Sequence, residues 1–460
     1  MTNFIILVYL AGVLIIGILA GRGIKNLSQF AVAGKAYGSM VIFATLSASF
    51  IGGGFSMGNA EKVFLFGIVN IVALWGFSLK EILVAGYIAP RMDRYRDAIS
   101  VGDIMEVHYG KTAKVFSGLF GFILCAGILG AQIGAIGYIT NVFLGFERFW
   151  GILLGCSIVI AYATAGGMKA VVWTDIVQFI ILAVGLPMTL FMGIQSAGGV
   201  EHIISTVPQG HLSISLEPAA VIALFSLFLA FVVGETLVPP YLQRLLIGRN
   251  ASQVVRGTLY SGLFSIPFFA VTGLIGMVAL VLNPELNPNL AMPYVVQQAL
   301  PPLLQGIVIA AVIAIIMSSA DSFLNAAAIC FSNDMVKPFR RTPMSRESEV
   351  KMARCVTLLV GVMAVVFALS IESVLDILIY AYNFWAPIIL VPLVMAIMQR
   401  RVSSTKFLGG AGAGIAALLI WNYVLNGPWE IHGIVVGFFA NLLVFILLDR
   451  EKKPQLKPAP

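Results

Sequence analysis

The chain has 460 residues, of which 59% are hydrophobic and only 11% are charged. Soluble domains carry about 25% charged residues, so this composition excludes an ordinary cytosolic enzyme and is typical of a protein that crosses a membrane many times. A spanning helix takes about 20 residues, which leaves no room here for a separate soluble domain. The net charge of +7 is therefore interpreted as a sign of membrane orientation and not of nucleic-acid binding.

Thirteen hydrophobic segments, separated by Gly, Pro and charged residues, are predicted to span the membrane. We name the first segment the leader and the others spans one to twelve. The leader has no basic residues before it and no small-residue cleavage site near its end, so we expect a retained helix and not a signal peptide. The predicted ranges are 3–20, 38–60, 63–89, 113–144, 150–165, 170–194, 218–238, 258–282, 303–335, 352–370, 373–399, 406–425 and 432–449.

Lysine and arginine residues alternate between the loops, as a correct count of spans requires. With the N-terminus outside, all of the 28 basic residues except Lys62, Lys80 and Arg148 fall on the inner side. Because cytoplasmic loops carry an excess of Lys and Arg, the pattern predicts an outer N-terminus and a cytoplasmic C-terminus.

Spans one and six contain residues that interrupt helices. Three consecutive glycines at 52–54 are poor helix formers in span one, and Pro239 with Pro240 removes two backbone donors beside Glu235 in span six. Because the two spans hold corresponding places in two five-helix halves, the paired interruptions indicate an inverted-repeat transporter. Simple kinks are the alternative, since Gly and Pro are common in membrane helices.

Polar residues inside spans are candidates for function. Asp175 lies in span five, and span eight carries a carboxylate and three hydroxyls between Ser318 and Ser322. Several oxygens close together suit a hard cation such as sodium. Structural roles remain open as alternatives. Asp175 can cap a helix, and the hydroxyls can bond to carbonyls of their own helix. Glu235 can be the partner of an arginine or an amide.

Three further polar positions are weaker candidates. Lys80 and Glu81 are neighbours in span two, and because adjacent helical side chains point about 100° apart, each is expected to pair elsewhere in a structural role. Gln132 in span three and Tyr382 in span ten can face a cavity, although ordinary packing is the favoured interpretation for the aromatic residues of span ten.

Two long motifs resemble the sodium:solute symporter family. They are YATAGGMKAVVWTDIVQ from Tyr162 to Gln178 and SSADSFLN from Ser318 to Asn325. Within that family, GGGFSMGNAE at Gly52 to Glu61 and PPYLQR at Pro239 to Arg244 are most similar to the branch that includes high-affinity choline transporters. The resemblance runs from about residue 5 to about residue 450, and together the two motifs are specific.

The resemblance implies an all-α polytopic membrane protein with a LeuT-type 5+5 inverted-repeat core, one leader helix and two C-terminal helices. This agrees with the thirteen spans counted above. The expected organisation is a single transporter domain over 1–460, with the leader at 3–20, the first repeat at 38–194, the second repeat at 218–399, accessory helices at 406–449 and a cytoplasmic tail at 450–460.

The resemblance also implies a sodium site between spans one and eight. The matching positions are Ala48, Ile51, Ile315, Ser318 and Ser319. Some members hold a second sodium, for which the additional matching positions are Asp175, Asp321 and Ser322. Asp321 replaces a hydroxyl found in some of those members. The number of sodium ions carried per cycle, one or two, therefore remains open.

The expected solute is a small amine or amino-acid-like compound. Choline carriers enclose a quaternary ammonium in an aromatic cage, but Val72, Ile128 and Val238 stand where three cage tryptophans are expected. A carboxylate solute is disfavoured because no arginine lies in the interior of a predicted span. The predicted substrate residues are Gly52, Gly53, Gly54, Phe55, Gln132, Glu235, Val238 and Tyr382.

The predicted function is sodium-coupled uptake of this solute by alternating access in a prokaryotic plasma membrane, with the solute, sodium and lipid as partners. We expect no cofactor, no nucleic-acid partner and no enzymatic activity. Two alternatives stay open: a proton-coupled carrier that uses Glu235 or Asp321, and a carrier of the choline or betaine type. The oligomeric state is also open.

Overall fold

The computed structural model describes residues 2–50, 53–370, 382–383, 385–400 and 402–448. These residues are almost entirely helical, with one isolated β-bridge between Tyr37 and Gly248. The α-helices are α1 (Thr2–Ala20), α2 (Leu27–Val32), α3 (Ser39–Phe50), α4 (Gly53–Phe66), α5 (Val69–Leu83), α6 (Val101–Tyr109), α7 (Lys111–Leu144), α8 (Arg148–Ser196), α9 (Val200–Thr206), α10 (Pro218–Val233), α11 (Pro239–Leu246), α12 (Ala251–Leu282), α13 (Ala291–Ala299), α14 (Pro302–Ile329), α15 (Arg346–Ser370), α16 (Val391–Ile397), α17 (Ser404–Leu419) and α18 (Gly433–Leu447).

The helices fall where the sequence places membrane spans. By length and composition, seven helices of the described residues can cross a membrane, and the bent pair of α3 and α4 makes an eighth. Shorter apolar helices cover the leader and spans six, ten and twelve. Every predicted span overlaps a helix, so the all-helical prediction is confirmed, while the count of thirteen spans stays a prediction.

Spans four and five lie on either side of a kink within α8. α8 has 49 residues, and a straight helix of that length would measure roughly 73 Å, more than twice the thickness of a bilayer core. Its backbone leaves helical geometry at Gly167, where φ is 47° and ψ is −142°, a conformation that favours glycine. Gly167 thus divides α8 at the position of the predicted loop.

Both predicted helix interruptions are confirmed. The axes of α3 and α4 differ by 48° across the glycine segment. α10 ends at Val233, and α11 begins at Pro239 after a turn in which Leu237 has a φ of 55°. Non-helical backbone of this kind is tolerated at membrane depth only where it is buried in protein or lines a cavity.

A short backbone contact joins these two broken helices. The amide of Tyr37, just before α3, donates to the carbonyl of Ile247 over 3.1 Å, and the amide of Arg249 donates to the carbonyl of Tyr37 over 3.0 Å. The start of α3 and the end of α11 are therefore held together.

α14 lies at the centre of the bundle, where it packs against α1, α7 and α8. In an apolar stretch of 18 residues along this helix, 76% of the residues are buried, which is the highest share among the seven long helices. The hydroxyl and carboxyl groups of α14 therefore face protein and not lipid.

The leader helix α1 packs closely on α8. A Cβ atom at Gly17 would come within 2.6 Å of the Cβ atom of Tyr162, whereas a Cβ at Gly12 of the same helix would meet open space. The small residue at position 17 therefore allows the two helices to touch.

We expect Gly17→Ala to destabilise the protein, because overpacking a tight contact costs about 1–3 kcal/mol. The measurement is thermal unfolding of the purified protein in detergent. Gly12→Ala is the matched control and should leave the unfolding temperature nearly unchanged. Equal behaviour of the two variants would contradict the close contact between α1 and α8.

Candidate functional site

The end of α3 meets α14 through a hydroxyl and a carbonyl. Ser319 Oγ donates a hydrogen bond to the backbone oxygen of Ser49 over 2.9 Å, and both Ser319 and the adjacent Ala48 are buried. Since α3 ends at Phe50, carbonyls of its last turn lack intrahelical amide partners. The junction therefore collects the kind of oxygen atoms that sodium binds.

Asp175 forms the centre of a second group of oxygens beside this junction. Its carboxylate is fully buried and belongs to the second half of α8. Ser318 Oγ donates to Oδ1 of Asp175 over 2.5 Å, and the hydroxyl of Thr45 donates to Oδ2. Ser49 Oγ lies 3.0 Å from Ser318 Oγ, so α3, α8 and α14 meet here through polar contacts.

A buried guanidinium lies within the same group of oxygens. Arg244, on α11, is fully buried, and its Nη2 lies 3.0 Å from Oδ2 of Asp175. The same nitrogen donates to Ser49 Oγ and Ser322 Oγ, each over 2.5 Å, and Nε donates to the carbonyl of Thr45 over 3.2 Å. The sequence groups Arg244 with the charges of a loop, but α11 directs its side chain into the protein, where it is fully buried.

Asp321 lies in the same cluster, and Ser322 bonds both to it and to the arginine. Tyr162 Oη donates to Oδ2 of Asp321 over 2.6 Å, and Ser322 Oγ lies 3.0 Å from Oδ1. Asp321 is fully buried and has no ion-pair partner among the described residues. The predicted residues Asp175, Asp321 and Ser322 are thus brought together, with the unpredicted Arg244 among them.

Glu235 lies in the turn between α10 and α11. Its Oε1 accepts a hydrogen bond from the hydroxyl of Tyr382, while Oε2 is buried without a hydrogen-bond partner among the described residues. Trp385 Nε1 donates to the carbonyl of Thr236 over 2.9 Å, which fixes this turn against the chain before α16. A buried carboxylate with one unpaired oxygen is a binding group for a cation or a hydrogen-bond donor.

Aromatic side chains pack around Phe55, another predicted substrate residue. The ring of Phe55 lies 5.3 Å from that of Phe77 and 5.9 Å from that of Phe231, measured between centroids. Gln132 and Val238 are buried, and Gln132 makes no hydrogen bond to the described residues. The surroundings of Phe55 are therefore aromatic and apolar.

Lys80 and Glu81 pair with each other, which corrects the expectation that each pairs elsewhere. Both are buried, and Lys80 Nζ lies 2.8 Å from Oε1 of Glu81. Tyr241 Oη donates to Oε2 of Glu81 over 2.9 Å, and Nζ lies 3.7 Å from the ring centroid of Phe77. The long lysine side chain overcomes the angular separation of neighbouring helical residues by folding over this ring.

Some predicted residues lie beyond what the structure describes. Ile51 and Gly52 are outside the described residues, and so is the side chain of Ile315. Gly53 and Gly54 form the first turn of α4, directly before Phe55. Among the described residues, no group of three or more His, Cys, Asp and Glu side chains is arranged to hold a metal ion. A sodium site made of carbonyls and hydroxyls does not need such a group.

The chain matches a known protein family over most of its length. A model described as the sodium:solute symporter family matches residues 30–416. The chain belongs to the sodium:solute symporter family. It is therefore a multi-pass membrane transporter that couples solute movement to sodium, and the resemblance of its two long motifs to this family is confirmed.

Similar symporters include proteins with different solutes in their names. The chain is 27% identical to the high-affinity choline transporter 1 of Drosophila melanogaster, over 99% of this chain and 74% of that protein. It is 24% identical to the sodium/proline symporter of Salmonella typhimurium, over 96% of this chain and 92% of that protein. These relatives are transporters and not enzymes.

Solved structures of two transporters share the fold. One is a Na⁺-coupled sialic acid symporter in a substrate-bound outward-open state, with a TM-score of 0.82, 19% identity and coverage of 97% of both chains. The other is Mhp1, a nucleobase-cation-symport-1 family transporter, in a closed conformation with bromovinylhydantoin bound. Its TM-score is 0.60 at 16% identity, over 92% of this chain and 94% of that chain.

Proposed function

We propose that this symporter takes up a small amine-bearing solute together with sodium, by alternating access. The observation that carries the proposal is the contact between Ser319 and the carbonyl of Ser49, where the interrupted helix α3 meets α14. Sodium bound there would fix the two helices to each other and so complete the adjacent solute site.

For the sodium ion, we propose the backbone oxygens of Ala48, Ile51 and Ile315 and the hydroxyls of Ser318 and Ser319. The burial of Ala48, Ser318 and Ser319 supports this assignment, because few waters compete with protein oxygens in a buried site. One charge moving through 100 mV yields about 2.3 kcal/mol, which supports roughly 50-fold accumulation of solute.

For the solute, we propose an ammonium group bound to the free Oε2 of Glu235, with Tyr382 holding the other oxygen and Phe55 contributing an apolar wall. No lysine or arginine of the described residues lies within ion-pair distance of Glu235, so its charge is available to a ligand. Choline and proline, which relatives carry according to their names, both contain a positively charged nitrogen. The apolar residues Val72, Ile128 and Val238 favour a primary or secondary amine over a caged quaternary ammonium.

For the membrane arrangement, we propose thirteen spans in a LeuT-type core, with the N-terminus outside and the C-terminus in the cytoplasm of a prokaryotic cell. The division of α8 at Gly167 supports two spans within this helix. The distribution of lysine and arginine supports the orientation. The two repeats at 38–194 and 218–399 then form one transport domain with the leader and the accessory helices.

The test is a thermal-unfolding series of the purified protein with choline, betaine, amino acids, simple amines, sugars and short carboxylates, each in sodium and in potassium. A ligand that binds only the folded state raises its stability by mass action. We expect an amine to stabilise the protein in sodium and not in potassium. Ser319→Ala removes a proposed sodium ligand, and the loss of about 1.5–3 kcal/mol should raise the required sodium concentration roughly 10- to 100-fold.

Ser332→Ala is the matched control for this series. Its hydroxyl is also buried in the helical segment that continues α14, but it donates to the carbonyl of Ala328 in the same segment over 2.7 Å. The control should keep the sodium response. Stabilisation by an amine that is equal in sodium and potassium but depends on pH would contradict the proposal and favour coupling to protons through Glu235 or Asp321.

A further inference from the structure

We propose that a basic and aromatic patch, where α7 begins and the segment continuing α14 ends, binds the headgroup of an anionic phospholipid. The patch consists of Lys111, Lys337, Phe339, Arg340 and Arg341. It shares no residue with the polar cluster around Asp175, so the proposal depends neither on the coupling ion nor on the solute.

The patch lies where two long helices reach the boundary of the membrane. α7 begins at Lys111, and the helical segment that starts with α14 continues to Phe339; each is long and apolar enough to cross a membrane. Lys111 Nζ lies 4.8 Å from the ring centroid of Phe339, so the two helix ends are adjacent. The distribution of lysine and arginine assigns this boundary to the proposed cytoplasmic side.

Phe339 is the apolar part of the patch. Its side chain is large and hydrophobic, yet it is 67% exposed. Aromatic rings at the ends of membrane spans lie at the level of the lipid headgroups. A phospholipid bound at the patch brings apolar chains next to its phosphate and so covers this ring, whereas a small soluble anion would leave the ring in water. The ring therefore favours a lipid as the occupant.

Three cations of the patch are available to a ligand. Lys111, Arg340 and Arg341 are exposed, and none of them forms an ion pair with the described residues. Lysine and arginine make strong, charge-assisted hydrogen bonds to phosphate oxygens. Clusters of such residues at the cytoplasmic end of a span attract anionic lipids. Three unpaired positive charges beside an exposed ring thus complement an anionic headgroup and the chains attached to it.

A lipid at this patch would connect three helical segments. Lys337 Nζ lies 2.8 Å from Oε1 of Glu349, which belongs to α15, and Lys111 is the first residue of α7. Arg340 and Arg341 directly follow the segment that continues α14. A headgroup held by these side chains would fix the ends of α7 and α14 to each other, so anionic lipid should stabilise the folded protein.

The experiment measures thermal unfolding of the purified full-length protein in detergent micelles, titrated with dioleoylphosphatidylglycerol or with dioleoylphosphatidylcholine. The two lipids have the same chains, so a difference between them isolates the charge of the headgroup. We expect saturable stabilisation by phosphatidylglycerol and little by phosphatidylcholine. Glycerol phosphate has the same headgroup chemistry without chains and should not stabilise the protein.

The double variant Arg340→Gln with Arg341→Gln should need roughly 30-fold more phosphatidylglycerol for half of the stabilisation, because each basic residue near an anionic surface contributes about fivefold in affinity. The matched control is Arg22→Gln with Lys25→Gln. These two residues are also exposed, belong to the proposed cytoplasmic side and form no ion pair with the described residues. The control should respond to phosphatidylglycerol as the wild type does.

Equal stabilisation by the two phospholipids would overturn the proposal, because the site would then not select charge. An equal loss in the two double variants would also overturn it, since the effect would be a general attraction to an anionic surface. Stabilisation by glycerol phosphate as strong as that by phosphatidylglycerol would assign the patch to soluble anions and not to lipid.

A second measurement on the wild type needs no variant and therefore remains decisive if the double variant does not fold. Exposed charges are screened by salt, so raising potassium chloride from about 0.05 M to about 0.5 M should increase the phosphatidylglycerol needed for half of the stabilisation. A requirement that is unchanged by salt would contradict binding through these exposed cations.

Discussion

Glu235→Gln is expected to abolish high-affinity uptake of the amine solute while sodium binding persists. The free Oε2 of Glu235 is buried, so in the wild type a solute ammonium would gain a charge-assisted hydrogen bond there. A hydrogen bond to a charged group contributes about 1.5–3 kcal/mol, so the apparent affinity for the amine should fall roughly 10- to 100-fold. Uptake of labelled amine into vesicles and sodium-dependent thermal stability are the two measurements.

Tyr382→Phe is the control for this experiment. It removes the hydrogen bond to Oε1 but leaves the negative charge of Glu235 in place. We expect a smaller loss of affinity than in Glu235→Gln, because the ammonium still meets a carboxylate. If Glu235→Gln transported the amine with unchanged affinity, the carboxylate would be structural, and the proposed class of solute would be wrong.

Glu81→Gln should strongly destabilise the fold. The side chains of Lys80 and Glu81 are 1% and 0% exposed, so the substitution leaves an ammonium buried without its counterion. Breaking a buried ion pair from one side costs about 3–5 kcal/mol. The measurement is the unfolding temperature in detergent, together with the half-life of the folded protein at a fixed temperature.

The sequence contains a matched control for Glu81→Gln. Glu61 and Lys62 are also adjacent residues of opposite charge, but their side chains are 18% and 35% exposed and 3.8 Å apart. Glu61→Gln should cost about 0–1 kcal/mol, as is usual for exposed pairs. The double variant Lys80→Met with Glu81→Gln should recover much of the loss. If it were as unstable as Glu81→Gln alone, the unpaired charge would not be the cause.

Local chemistry allowed the sequence to predict the helices and their interruptions. Three glycines in span one and two prolines in span six conflict with helix formation wherever the chain folds, so the breaks were predictable from those residues alone. The cluster of hydroxyls around Asp321 was also recognisable, because several polar residues within five positions are rare in an apolar span.

The contacts between distant segments could not be predicted in this way. Arg244 is followed in the sequence by Arg249 and Arg256, and its position gives no sign that α11 directs it towards Asp175, 69 residues earlier. Thr45 and Ser49 carry a weak signal, since residues four apart share one helix face. The pairing of Lys80 with Glu81 depends on the rotamer of a flexible side chain, which helical geometry does not determine.

The contact between the leader helix and α8 also bears on how small such a carrier can be. Gly17 allows the leader to touch Tyr162, and the hydroxyl of Tyr162 donates to Asp321 in the centre of the bundle. A version without α1 would remove the surface that packs against the side chain of Tyr162. The leader therefore supports the buried polar cluster around Asp321 through Tyr162, although Gly17 itself makes no contact with Asp321.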